Sequence, residues 1–148
     1  FVEGPLDQAR ESGARVFNEG PTLPDLPGHF LRPAIVSGVS PDAAIVLEEQ
    51  FGPVMPIVPF DTEEEAIALA NNSEYGLDAS VWSQDEDRAL KVAKRICAGS
   101  LFINKHANPP DPAIPFGGAK QSGFGAELGN WGVDDLSQRH IIGIGKAA

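Results

Sequence analysis

The sequence holds a single cysteine among 148 residues. No disulfide can close within it, and a reducing compartment such as the cytoplasm fits. Lysine and arginine are scarce, 11 against 21 acidic residues, and they form no cluster. The resulting charge of −10 lacks the basic footprint that nucleic acid or an anionic membrane surface requires. It leaves room for a nucleotide cofactor, whose phosphates a few local contacts can hold. No apolar run approaches the ~20 residues that span a bilayer, and no signal peptide is visible. The three histidines are scattered, and with no cysteine pair no metal constellation forms. Repeats and low-complexity tracts are absent too. Asn71-Asn72-Ser73 matches a glycosylation sequon and reads as a chance match in a chain of this composition.

What is present is an alternating pattern. A chain of this length is one domain by the usual prior and buries roughly 70% of its unfolded surface. Val2, Leu6 and Ala9 have helical spacing up to Gly13, and Ala14 to Phe17 is a short strand candidate. Residues 18–28 are a loop rich in Pro and Gly. Phe30 to Val36 and Ala43 to Leu47 read as extended. Val54 to Phe60 is apolar but carries Pro56 and Pro59, which places it at a sheet edge or a bulge. Thr62-Glu63-Glu64-Glu65 is a capping box that opens a helix ending at Asn71-Asn72. Leu77 to Trp82 is a strand. Ser83-Gln84-Asp85-Glu86 is a second capping box, opening a helix with Ala89, Val92, Ala93 and Ile96 inward, Cys97 beside them and Gly99 at its end. Ser100 to Asn104 is an apolar strand. The order strand–helix–strand–helix–strand predicts an α/β fold, a parallel-stranded sheet with flanking helices. A loop from Lys105 to Leu128, a short helix near Asn130 to Leu136 and a last strand over Arg139 to Ile144 complete the chain.

One block carries chemistry on its face. In Leu47-Glu48-Glu49-Gln50-Phe51-Gly52-Pro53-Val54, the Glu49 carboxylate and the Phe51 ring are two residues apart, just before a Pro-bounded strand. An ionised Glu offers two acceptor oxygens, enough for both hydroxyls of a ribose. The ring packs on a flat base or sugar. The bland reading is a surface acidic turn with a core Phe. Asn104 ends a strand at the carboxyl edge of the sheet, where ligand sites gather in open α/β folds, and equally serves as a loop cap. Gly117, Gly118, Gly123 and Gly125 fit neither the P-loop order nor the dinucleotide fingerprint, so they read as conformational. Cys97 reads as a buried, unreactive core residue.

These blocks, with Pro115-Phe116-Gly117-Gly118-Ala119-Lys120-Gln121-Ser122-Gly123-Phe124-Gly125-Ala126-Glu127-Leu128-Gly129, Ala70-Asn71-Asn72-Ser73-Glu74-Tyr75-Gly76-Leu77 and Ala98-Gly99-Ser100-Leu101-Phe102-Ile103-Asn104, resemble the C-terminal part of the NAD(P)-dependent aldehyde dehydrogenase family over nearly the whole chain. The resemblance implies that Glu49 and Phe51 contact the nicotinamide-side ribose of NAD or NADP. It implies that Phe116 lines the aldehyde pocket and that Asn104 lies near it. It implies a homo-oligomeric parent enzyme whose nucleophile and base lie outside this chain. The family's Gly-Gln-x-Cys-like context and its upstream glutamate motif do not occur here, so no residue of this chain is catalytic by resemblance. With Phe1 opening in the middle of an amphipathic stretch, the simplest expectation is an excised C-terminal fragment. Residues 1–138 would then be the C-terminal part of the catalytic domain, and 139–148 an oligomerisation-type strand and tail. The aldehyde, and NAD against NADP, stay open. So does a non-catalytic assembly module built on the same fold. A generic nucleotide-binding α/β domain ranks below both, because both phosphate fingerprints are missing.

Overall fold

The computed structural model describes residues 3–17, 27, 30–107 and 111–146. Most of the Pro- and Gly-rich loop expected over 18–28 lies outside them. The chain divides into two compact units, Phe1–Ser73 and Glu74–Ala148.

In the first unit, α1 (Glu3–Glu11) buries Leu6 and Ala9, three residues apart on one face, and stops before Gly13, whose φ of 86° suits a residue without Cβ. Three strands follow: β1 (Arg15–Phe17), β2 (Ala34–Ser37) and β3 (Val54–Ile57). They form one sheet in the order β1-β2-β3, antiparallel then parallel. Strand periodicity sends Ala34 and Val36 inward, where they meet Leu6, Ala9, Val39 and Ile45 in the core. The alternate residues point the other way. Phe17, Ile35 and Met55 are in register across the three strands, and all three are exposed. Pro56 sits in β3, an edge strand of this sheet, as a proline should.

Ala43 to Leu47 departs from expectation. It is not extended; Ala44–Leu47 forms a single helical turn, α2. Ser40 starts it, accepting from Asp42 N at its hydroxyl and from Ala43 N at its carbonyl. The carbonyl of Ala43 then takes the amides of Val46 and Leu47. Ile45 is 3% exposed. Burial of this side chain overrides the β propensity of Ile45 and Val46, a common outcome for weak local preferences. The helix α3 (Glu63–Asn71) is capped as its sequence indicates, with Thr62 Oγ1 accepting from Glu65 N at 3.1 Å. The reciprocal bond reaches one residue further, from Asp61 N to Glu65 Oε2 at 2.8 Å.

The second unit contains β4 (Tyr75–Gly76), β5 (Asp78–Val81), α4 (Glu86–Ala93), β6 (Ser100–Ile103), β7 (Ala119–Lys120) and α5 (Gly129–Asp135). Strands β5 and β6 are parallel and in register from Asp78↔Ser100 to Val81↔Ile103, with α4 packed on the pair. Strands β4 and β7 pair antiparallel. The single sheet expected from Val54–Phe60, Leu77–Trp82 and Ser100–Asn104 thus resolves into two separately hydrogen-bonded parallel pairs, one in each unit. The cap of α4 is also shifted. Asp85, not Ser83, is the N-cap, accepting from Arg88 N at 2.9 Å, while Ser83 Oγ accepts from Asp85 N. Two good caps lie two residues apart, and the carboxylate wins the helix end. Arg139 to Ile144 pairs with no strand among the described residues, and Ile141, Ile142 and Ile144 are exposed. A lone strand has no hydrogen-bonding partner and needs a sheet to join.

Candidate functional site

In the first unit the chain leaves α2 at Glu48 and runs through two tight turns before β3. Gly52 N donates to Gln50 O at 2.7 Å, and Val54 N donates to Gly52 O at 2.8 Å. Gln50 is tied down by its side chain, which donates to Glu48 O. These turns hold Phe51 outward, 90% exposed. Glu49 is exposed too, and its carboxylate takes no hydrogen bond among the described residues. Next to Phe51 in sequence, Gly52 to Met55 form one wall of a shallow depression of about 450 Å³, completed by Phe17, Pro33 and Ile35. A carboxylate that takes no hydrogen bond among the described residues, an outward aromatic ring and an apolar shelf fit a ribose, whose hydroxyls can donate to the carboxylate, and the flat ring attached to it. Glu48 is exposed as well; its amide donates to Ala44 O and its carbonyl accepts from the Gln50 side chain, while its carboxylate, like that of Glu49, takes no hydrogen bond among the described residues.

In the second unit Asn104 ends β6 with φ 54°, a conformation Asn tolerates better than most residues. Its carboxamide reads Ser83 twice: Oδ1 accepts from Ser83 N and Nδ2 donates to Ser83 O, both at 2.8 Å. Asn104 therefore ties the end of β6 to the residue that precedes α4. Phe116 is bridged to Glu127 by reciprocal backbone bonds of 2.8 and 2.7 Å. Phe116 lines an open depression of about 540 Å³ with Leu77, Phe124 and Asp135, and Asn104 is not among the lining residues. His106 meets the Phe102 ring edge-on at 6.4 Å, while Lys105 Nζ lies 5.7 Å from the same ring's centroid. Both help to order the start of the loop.

The Gly-rich segment is held by side chains that sequence reasoning passed over. Ser122 Oγ accepts from Gly76 N at 2.9 Å, and Asp135 Oδ2 accepts from Ala126 N at 2.8 Å. Neither residue carries a signal that sequence alone distinguishes from a surface hydroxyl or a helix-end acid. The glycines are conformational as read, and several are needed for contact. A Cβ on Gly76 would stand 2.5 Å from Cys97 O, and one on Gly117 would stand 2.5 Å from Gly125 O. Among the described residues, no group of His, Cys, Asp and Glu could hold a metal, and no helix is long and apolar enough to cross a membrane.

A profile described as the aldehyde dehydrogenase family matches residues 1–142. The chain belongs to the aldehyde dehydrogenase family. It is 44% identical over 146 residues to a 4-trimethylaminobutyraldehyde dehydrogenase of Oryzias latipes, covering 95% of this chain and 29% of that protein. It is 39% identical to an NADP(+) succinate-semialdehyde dehydrogenase of Deinococcus radiodurans, again covering 95% and 29%. A Mycobacterium tuberculosis aldehyde dehydrogenase solved with NAD+ superposes with TM-score 0.85 at 43% identity, over 93% of this chain and 28% of that one. The chain thus spans under a third of the length of the relatives it matches.

In an aldehyde dehydrogenase chain a lone thiol draws attention. Cys97 is exposed, against the expectation that it faces the core. The reason lies in the end of α4. The helix stops at Ala93 and is capped by Lys94, so the periodicity that buries Ala89 and Ala93 does not reach residue 97. Native chain is expected to take up one equivalent of a thiol reagent without denaturant. Labelling that waits for unfolding would contradict the exposed placement. Exposure alone does not make a nucleophile, which also needs an electropositive setting and a base.

Proposed function

We propose that this chain is the C-terminal portion of an NAD(P)-dependent aldehyde dehydrogenase that oxidises an aldehyde to a carboxylic acid through a cysteine thioester. The observation that carries the reading is the free Glu49 carboxylate beside the outward Phe51 ring, in a chain of this family. Glu49 would accept from the two ribose hydroxyls next to the nicotinamide, and Phe51 would pack against that sugar. Fixing the ribose orients the ring and lowers the barrier by position. The bound cofactor would supply hydride acceptance. Phe116 would form an apolar wall for the aldehyde. Asn104 would act one step back, holding the loop that starts at Lys105 through Ser83. The Gly-Gln-x-Cys-like context of the nucleophile does not occur in this sequence, so the thiolate and its base belong to polypeptide outside it. Residues 139–148 would serve the assembly of a homo-oligomer, consistent with three exposed isoleucines, and the single cysteine suits a cytoplasmic setting.

The test is kinetic. An enzyme containing this chain is expected to form NADH or NADPH from an aldehyde, whereas the 148 residues alone are expected to form none. Reduced cofactor produced by the purified chain alone would overturn the assignment of nucleophile and base elsewhere. An enzyme containing it that oxidises no aldehyde would favour the non-catalytic assembly module.

A further inference from the structure

Leu128, the residue that enters α5, has φ 63° and ψ 174°. Glycine reaches that region of backbone space freely, and a residue with a Cβ is strained there. Hydrogen bonds on both sides hold Leu128 in place. On one side, Glu127 O accepts from Phe116 N at 2.8 Å and Glu127 N donates to Phe116 O at 2.7 Å. On the other, Leu128 O accepts from Gly132 N and Gly129 N donates to Pro112 O, both at 2.9 Å. Packing closes the same turn, since a Cβ on Gly129 would stand 2.8 Å from the Pro115 ring. The two peptide groups that flank Leu128 are therefore both tied to the short segment 112–116. Its φ cannot relax while both ties stand. Strain of this kind persists only where the surroundings over-determine it.

The tie on the Glu127 side is the weaker in packing. Phe116, Glu127 and the residues before Pro115 back to Asp111 are exposed, so little apolar burial backs those two bonds. The tie on the other side runs into α5, whose Gly132 is buried. Phe116 and Glu127 both line the depression of about 540 Å³. We propose that the paired main chains of Phe116 and Glu127 are a latch on that depression, closed against the strain at Leu128 and opening by itself while the rest of the unit stays folded. Opening breaks the two Phe116–Glu127 bonds, returns Leu128 to negative φ and parts two residues of the lining. The bonds from Gly132 N and Gly129 N lie on the α5 side of Leu128 and stay. The inference does not rest on Phe116 as an aldehyde wall, because the latch works whatever the depression holds.

The test is amide hydrogen exchange followed by NMR on the 148-residue chain without ligand. The reference amides are those of Ser100 and Asn104, which donate to Leu77 O and Val81 O in the same unit. After correction for intrinsic rates, the Phe116 and Glu127 amides are expected to exchange about tenfold or more faster than the reference pair. Leu128→Gly and Leu128→Ala remove nearly the same side chain, but only glycine relieves the strain. Exchange at Phe116 and Glu127 should be about fivefold or more slower in Leu128→Gly than in Leu128→Ala, with Ser100 and Asn104 alike in both. Three outcomes overturn the proposal. Equal protection of all four amides in the wild-type chain would mean that the pair opens only when the unit unfolds, and this measurement needs no variant to fold. Equal rates at Phe116 and Glu127 in the two variants would mean that strain at Leu128 does not drive opening. A slowing shared by all four amides in Leu128→Gly would make the strain a matter of global stability alone.

Discussion

Gly99→Ala is expected to unfold the second unit or come close to it. A Cβ there would overlap the carbonyl oxygen of Gly117 and stand 2.7 Å from its carbonyl carbon and 3.1 Å from Gly118 Cα. All three are backbone atoms, so no rotamer change relieves the clash. Overpacking in an adaptable core costs roughly 1–3 kcal/mol. A backbone collision is less forgiving, and about 3 kcal/mol or more is expected. Relief would require the segment carrying Gly117 to leave the start of β6, and with it the wall that holds Phe116. Both tryptophans, Trp82 and Trp131, lie in this unit, so their fluorescence during urea unfolding reports on it selectively. Gly4→Ala is the contrast. A Cβ there meets nothing within 4 Å, and α1 should gain up to about 1 kcal/mol from the better helix former. An unchanged tryptophan midpoint in Gly99→Ala would show that the loop packs elsewhere.

The second large effect is on turnover. In an enzyme that contains this chain, Glu49→Gln is expected to lower kcat/KM for the cofactor by about tenfold or more. The amide keeps one acceptor oxygen and replaces the other with a donor, so one ribose hydroxyl loses its charge-assisted bond. Such bonds are worth roughly 1.5–3 kcal/mol, and each 1.36 kcal/mol is a factor of ten. Stability should not follow, because the Glu49 carboxylate is exposed and takes no hydrogen bond among the described residues. Glu48→Gln is the control and should act weakly. Equal kinetics in wild type and Glu49→Gln would remove Glu49 from the site. An effect confined to Glu48→Gln would move the role by one residue.

Local chemistry was the legible part of this sequence. Thr62 caps α3 because a hydroxyl followed three residues later by a carboxylate needs only its own turn to act. The α4 region was legible as a helix, but its start was not, since Ser83 and Asp85 are both competent caps and only geometry chooses. Partnership between strands was harder. Val54 to Phe60 reads as a strand from its residues alone and is one over Val54–Ile57, yet its pairing with β2, whose Ala34 and Val36 share a core with Leu6 and Ala9, is not written in its own residues. The same limit applies to Cys97, whose exposure is set by where α4 stops rather than by its apolar neighbours. At the candidate site, Glu49 and Phe51 stood out as an acceptor and a ring two residues apart, but their role, and the whole of the expectation for Phe116, came from the resemblance to the family. The supports did not. Ser122 finds Gly76 across 46 residues, and Asp135 finds Ala126 across nine.

Those two supports have an evolutionary consequence. The path of the Gly-rich segment is fixed where Ser122 and Asp135 take backbone amides, and by bridge bonds that run between the main chains of Phe116 and Glu127. None of these bonds uses the ring of Phe116 or of Phe124. Either ring can be exchanged for another shape without redrawing the course of the chain beneath it. Such a design lets a lineage reshape the depression that these two residues line while inheriting an intact scaffold.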